Sequence, residues 1–133
     1  MSRGVHFALT PEQGDALLGA KADKKLMALV EEIEEAWDRA NLMETDKAWD
    51  AIHRCLTDGS LLYEGGEYPL NLCVCGGRQL HRGRGFTVSF VTAAQVKDLR
   101  PALDRITKRG MRSRYDMIDP AEYDGELGEE DFD

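Results

Sequence analysis

Apolar and polar positions along this chain shift between two periods, and each shift marks an element. GVHFAL, Gly4 to Leu9, is short and apolar-rich and reads as a first strand. Thr10 follows, with Pro11 next to it and Gln13 three positions on. Such a Thr and Gln form a capping box, in which each side chain satisfies an orphaned backbone donor, and a proline at the first helical position has no donor to lose. The spacing predicts a helix from Pro11 to about Leu18, ended by Gly19. From a cap at Asp23, Leu26, Leu29, Val30, Ile33 and Trp37 recur at helical spacing, with Glu31, Glu32, Glu34 and Glu35 on a solvated opposite face.

NLMETD interrupts that pattern. Thr45 or Asp46 then caps a third helix, KAWDAIHRCL, whose apolar stripe holds Trp49, Ile52, His53 and Leu56. Asp58-Gly59 ends it, and GSLLYEGGEYP is a loop with turn signals. Leu70 to Cys75 is nearly all apolar, which predicts a strand covered on both sides, and Gly76-Gly77 turns the chain. GFTVSFV predicts a further strand from its β-branched and aromatic residues, and it leads into a second Thr-x-x-Gln cap, Thr92 with Gln95.

Val96, Leu99, Leu103 and Ile106 continue a helical stripe, but Pro101 lies too deep for a first turn. Proline removes a backbone donor and clashes with the preceding turn, so a kink or two short helices are expected there. Gly110 is expected to stop the segment, and Asp119-Pro120 to open one more turn. The acidic end, EYDGELGEEDFD, is expected to fray. Together these elements predict a single compact α+β domain over residues 1–133, a few short strands covered by helices, with residues 116–133 as its acidic tail.

Composition agrees with that class. In 133 residues, 42% apolar and 32% charged, there is room for one core and the surface of a soluble globular protein. No apolar run is long enough to cross a bilayer, and MSRGVHFALT lacks the apolar stretch of a secretory signal, so no membrane association is expected. Cys55, Cys73 and Cys75 are odd in number and two of them nearly adjacent, which reads as reduced thiols in a cytoplasmic protein.

Charge sharpens the picture more. The net charge is -8, yet the stretch from Arg78 to Tyr115 holds ten Lys/Arg against Asp98 and Asp104 alone. From Asp116 onward there are nine acidic residues and no basic one. A globally acidic protein is repelled by phosphate backbones, so nucleic-acid binding is not expected. The basic block can hold one anionic ligand, or be neutralised by the acidic segments of the same chain.

Three groups of residues could carry chemistry. Cys73 and Cys75, two apart on a strand, would face one side and could share a metal, but zinc needs two more ligands and thiols are commonly core residues, so core packing is the reading and no cofactor is expected. In GGRQLHRGRG, Arg78, His81, Arg82 and Arg84 could bind phosphate or carboxylate, although the glycine spacing matches no phosphate-binding loop. His53, with Asp50 three positions before it, has the makings of an oriented general base, but no nucleophile accompanies it and the simpler reading is a histidine bonded to backbone or a neighbour.

The stretch ETDKAWDAIHRCLTDG, with GVHFALTPEQ, YPLNLCVCGGRQL and FVTAAQV, resembles the bacterial YfbM-like family of small cytoplasmic proteins. The matching blocks run in the same order from Gly4 to about Tyr123, and Asp46-Lys47-Ala48-Trp49 with Ile52-His53 is the most specific. The resemblance implies a compact α+β domain and no activity, since the family has no known function. Its members continue into another helix where this chain has EEDFD, which implies an exposed apolar patch and a possible homodimer. The functional expectation is a non-catalytic protein-interaction or regulatory module, a class that includes immunity-like proteins. The alternative is a small enzyme or sensor binding an anionic, phosphorylated metabolite at Arg78–Arg84, with His53 as acid or base.

Overall fold

The computed structural model describes residues 3–36, 40–83 and 86–132. Among them the chain forms five α-helices and two small two-stranded antiparallel sheets, an α+β fold. Its contacts divide it into two compact units, one from Val5 to Thr45 and one holding Gly4 and the chain from Asp46 onward.

The first unit contains α1 (Pro11–Gly19), α2 (Asp23–Ala36) and, apart from the end residues Gly4 and Asp46, the strands β1 (Gly4–Phe7) and β2 (Leu42–Asp46). The predicted capping box opens α1: the Gln13 N–H donates to Thr10 Oγ1 at 3.2 Å and the Thr10 N–H to Gln13 Oε1 at 2.9 Å. α1 packs on α2 and buries Leu17 and Leu26. Trp37, expected on the same stripe, lies outside the described residues.

NLMETD is not a mere interruption but contains β2, which pairs with β1. Its half-exposed, polar sequence gives no period-2 signal, so the pairing itself defines the strand. The Ala8 N–H donates to the Asn41 carbonyl at 2.8 Å, and the His6 ring bonds Thr45 Oγ1 at 2.9 Å. Thr45 is thereby engaged in the sheet and does not cap the next helix.

The second unit begins with α3 (Trp49–Leu56), whose N-cap position is Ala48 with no side-chain cap, rather than Thr45 or Asp46. Its end is conventional: Gly59, at φ +90, donates its N–H to the Arg54 carbonyl at 3.0 Å. Ala51 and Cys55 of α3 form a core with Ile118 and Tyr123, against which Met111, Tyr115 and Leu127 pack.

Leu70 to Cys75 is not a strand. Leu70–Leu72 is a 3-10 turn following Pro69, with the Leu72 N–H on the Pro69 carbonyl at 3.0 Å and the Cys73 N–H on Leu70 at 3.2 Å. A six-residue apolar run fits a buried turn as well as a strand, and here local i to i+3 bonds satisfy the backbone. Gly77, at φ +90, then turns the chain as expected. The Arg-rich stretch weighed as an anion-binding segment is itself β3 (Arg78–Arg82), in an antiparallel hairpin with β4 (Thr87–Phe90).

α4 (Ala93–Asp104) starts in the second predicted capping box, Thr92 with Gln95. It runs through Pro101 and ends three residues later, so the break falls after Asp104 and not at the proline. The carbonyl that Pro101 leaves without a donor belongs to Lys97, at an exposed position open to water. Thr107 then caps α5 (Lys108–Asp116), and Gly110, expected to stop a helix, instead donates its N–H to Thr107 Oγ1 at 3.0 Å inside one. Arg114 ties α5 to the end of α3 through the Cys55 carbonyl at 2.8 Å. In the acidic segment expected to fray, Tyr123 is buried, Leu127 packs on the core, and Glu129–Phe132 forms a last 3-10 turn.

Candidate functional site

α3 turns one charged residue and one histidine inward. Arg54 is 5% exposed and His53 1%. Arg54 Nε donates to Asp50 Oδ1 at 2.6 Å, Nη1 to the Gly59 carbonyl at 3.4 Å and Nη2 to the Glu122 carbonyl at 3.3 Å. Its guanidinium also stands 3.6 Å from the Glu122 carboxylate and 5.6 Å from the Tyr123 ring centre. A guanidinium carries five donors in a fixed fork, and burial is tolerable only where most are met. Here one side chain joins α3, its C-terminal turn and the segment around Tyr123.

His53 and Asp50 do not form the acid–base couple that their spacing allowed. His53 Nε2 lies 2.8 Å from the Leu62 carbonyl. A carbonyl only accepts, so Nε2 carries the proton and is spent on the backbone. The Asp50 carboxylate is committed to Arg54.

The hairpin disperses the arginines that looked like an anion site. Across it Arg78 pairs with Phe90, Gln79 with Ser89, His81 with Val88 and Arg82 with Thr87, which leaves Leu80 as an unpaired bulge residue. Directly paired residues share a face and successive residues of a regular strand alternate, so the bulge shifts the alternation of β3 by one. Arg78 and His81 therefore share one face, Gln79 and Arg82 the other. Side-chain contacts agree: Gln79 Nε2 donates to Ser89 Oγ at 3.3 Å, while the His81 ring stacks on Phe86 at 4.1 Å. Arg84 lies outside the described residues.

Arg82 is drawn onto the preceding loop. Its guanidinium sits 4.4 Å over the Tyr63 ring and bonds Glu64 Oε1 at 2.6 Å. Tyr63 in turn meets the Trp49 and His53 rings edge-on, each at 6.4 Å. The sequence-based candidates His53 and Arg82 thus converge on one tyrosine that sequence reading passed over, in a packed cluster rather than an open cleft.

All three thiols are free. Burial pushes Cys75 up to about 12, with Asp50 adding to the rise and Arg82 opposing it, and pushes Cys55 up to about 11. Burial raises Cys73 as well. The thiolate is the species that attacks or binds metal, and these environments hold the thiols protonated. Cys73 and Cys75 follow a 3-10 turn and do not share a strand face, and no group of three metal-ligating side chains assembles among the described residues.

A different surface stands out on α5. An open depression of about 460 Å³ is lined by Lys108, Arg109, Arg112 and Ser113 of α5 and by Glu129 and Phe132 of the acidic segment. Arg112 Nη1 donates to Glu129 Oε1 at 2.7 Å, its guanidinium lies 5.0 Å over the Phe132 ring, and its Nε is 3.6 Å from Asp116. Phe132 meets Tyr115 edge-on at 5.5 Å. Arg105 and Arg109 are exposed and make no ion pair with a described carboxylate. Charge segregation in the sequence left this apposition of basic helix and acidic tail as one alternative beside an anionic ligand, and no local pattern identified Arg112 and Phe132 as its contacts.

A family model described as a domain of unknown function (DUF1877) matches residues 1–133. The chain belongs to the DUF1877 family. Comparisons of this DUF1877 domain with curated proteins and with solved structures return no match. Among its described residues no helix is long and apolar enough to cross a membrane.

Proposed function

We propose that this DUF1877 domain is a non-catalytic protein-interaction module that docks through the basic surface of α5. The observation that carries the reading is the contrast between its two groups of polar side chains. Asp50, His53 and Arg82 are engaged in internal contacts, whereas Arg109 on α5 and Arg105 at the end of α4 are exposed and make no ion pair with a described carboxylate. Charged surfaces of this kind serve recognition by complementarity. The reading sets the domain in the cytoplasm, where three free thiols stay reduced, and takes the likeness to YfbM-like proteins as a true relationship.

Affinity capture with the wild type and with an Arg105→Glu/Arg109→Glu variant tests it, alongside a thermal-shift panel of nucleotides and phosphorylated metabolites. A protein partner retained by the wild type and lost by the variant, with no ligand shift, is the expected result. A metabolite that raises the melting temperature, with the rise abolished by Arg78→Ala, would replace the module with an anion sensor.

A further inference from the structure

Resting on that reading of α5, we infer the class of its partner: a peptide segment of another protein in which an acidic run precedes an aromatic residue, displacing the domain's own Glu129–Phe132 turn. This internal occupant of the α5 face, itself one wall of the remaining depression, displays the chemistry that the face accepts. Glu129 and Phe132 are three residues apart in a 3-10 turn, where side chains at i and i+3 eclipse, so carboxylate and ring reach α5 from one side. Arg112 holds both, one by a charged hydrogen bond and the other under its guanidinium, while Tyr115 meets the ring edge.

The occupant leaves part of the groove unmatched. Asp131 turns back to accept from the Gly128 N–H at 2.7 Å, and Arg109 on the groove wall has no described carboxylate partner. A segment offering carboxylates to both Arg109 and Arg112 would match the groove better than the domain's own. The turn is also easily released. Glu129 is 77% exposed and Arg112 45%, and ion pairs so open to water are weak. Upstream, Tyr123 and Leu127 stay anchored in the core, so Gly128 onward can lift away without unfolding the rest. The net charge of -8 opposes an acidic partner at long range, which leaves recognition to short-range pairing inside the groove.

The test is fluorescence anisotropy of a labelled synthetic GELGEEDF peptide with the full chain. A Glu129→Ala/Phe132→Ala variant is expected to bind it about tenfold more tightly than the wild type, as for a groove its own segment fills roughly 90% of the time. Arg109→Glu/Arg112→Glu should abolish binding while keeping a cooperative urea transition, and a peptide with alanine in place of its phenylalanine should bind poorly. Equal affinity of wild type and released variant, or binding insensitive to the arginine reversal, would overturn the inference. So would concentration-dependent dimerisation of the wild type that Phe132→Ala removes, since the occupant would then be a second copy of this chain. A captured partner that depends on Arg105 and Arg109 but is not competed by the peptide defeats this inference alone; capture indifferent to both arginines defeats the docking reading itself.

Discussion

Arg78 and Arg82 stand on opposite faces of one strand, although four positions separate them, because Leu80 has no partner across the hairpin. Without the bulge, even spacing would set both guanidinium groups on the same side. The bulge sends Arg82 to Tyr63 and Glu64 and leaves Arg78 exposed with no ion pair to a described residue. Arg82→Ala is therefore expected to destabilise the fold by about 1 kcal/mol, the sum of a modest cation–π contact and an exposed ion pair. Arg78→Ala should stay within about 0.5 kcal/mol of wild type, as surface substitutions generally do. Urea titrations of the two variants check this, and equal losses would mean that the two side chains act together.

Arg54 is the buried cation around which the second unit closes, and its removal should be the most damaging single change on α3. Arg54→Ala leaves Asp50 and the Glu122 carbonyl without their donor, and breaking a buried pair typically costs about 3–5 kcal/mol. The lower end, about 3 kcal/mol, is expected because Asp50 retains some contact with water. A double-mutant cycle with Asp50→Asn measures the coupling. An Arg54→Met/Asp50→Leu variant should recover much of the loss, since well-packed apolar replacements are often neutral. A loss below 1 kcal/mol for Arg54→Ala would remove the guanidinium from this structural role.

What the sequence revealed and what it hid divide by range. Thr10 with Gln13 and Thr92 with Gln95 were legible because a capping box needs only residues three apart. β2 and β3 were not, because LMETD and RQLHR carry no apolar alternation and become strands by pairing with distant segments. Leu70 to Cys75 misled for the opposite reason, being apolar enough for a strand yet closed by local bonds after Pro69. At the candidate sites, Asp50 was legible as a partner on α3 but was matched to His53; the i,i+4 pair with Arg54 prevails because a buried guanidinium must be met. Arg112 and Phe132 lie twenty residues apart, and only folding brings them together.

The three thiols give the fold an alkaline limit. Each has a folded pKa above its ordinary 9.0, so the native state keeps protons that the unfolded chain releases. Stability is then complete below about pH 9 and falls as pH rises toward about 11 for Cys55 and about 12 for Cys75. Urea titrations in reductant from pH 8 to pH 10.5 should show that decline. Iodoacetamide at pH 8 should label the thiols slowly until denaturant is added, and rapid labelling of the native protein would contradict their burial.

His6 sets a limit on the acid side. Burial lowers its pKa below the ordinary 6.5, so the fold holds the neutral ring bonded to Thr45. The unfolded chain takes up a proton first as pH falls, so this contribution is intact above about pH 6.5 and is lost as pH drops through that value toward the folded pKa. His6→Gln, which keeps a hydrogen-bonding side chain without the titration, should flatten the stability profile between pH 7 and pH 5. An unchanged acid slope in that variant would assign it to other groups.

Three glycines separate close approach from mere presence. At Gly76 an added Cβ would lie 2.0 Å from the Asn71 carbonyl oxygen, and at Gly77 it would lie 2.6 Å from that of Phe90 with the backbone at φ +90. Both obstacles are backbone, in the 3-10 turn and in β4, and cannot rotate aside. Gly76→Ala and Gly77→Ala are each expected to cost at least about 2 kcal/mol through steric strain. Gly19, at the end of α1, has nothing within 4 Å of such a Cβ and no left-handed backbone. Gly19→Ala should therefore be neutral or stabilise by up to about 1 kcal/mol, since alanine restricts the unfolded chain and favours helix. Denaturation midpoints of the three variants decide the matter, and a tolerated Gly76→Ala would mean that the 3-10 turn at Leu70–Leu72 can move away from the hairpin.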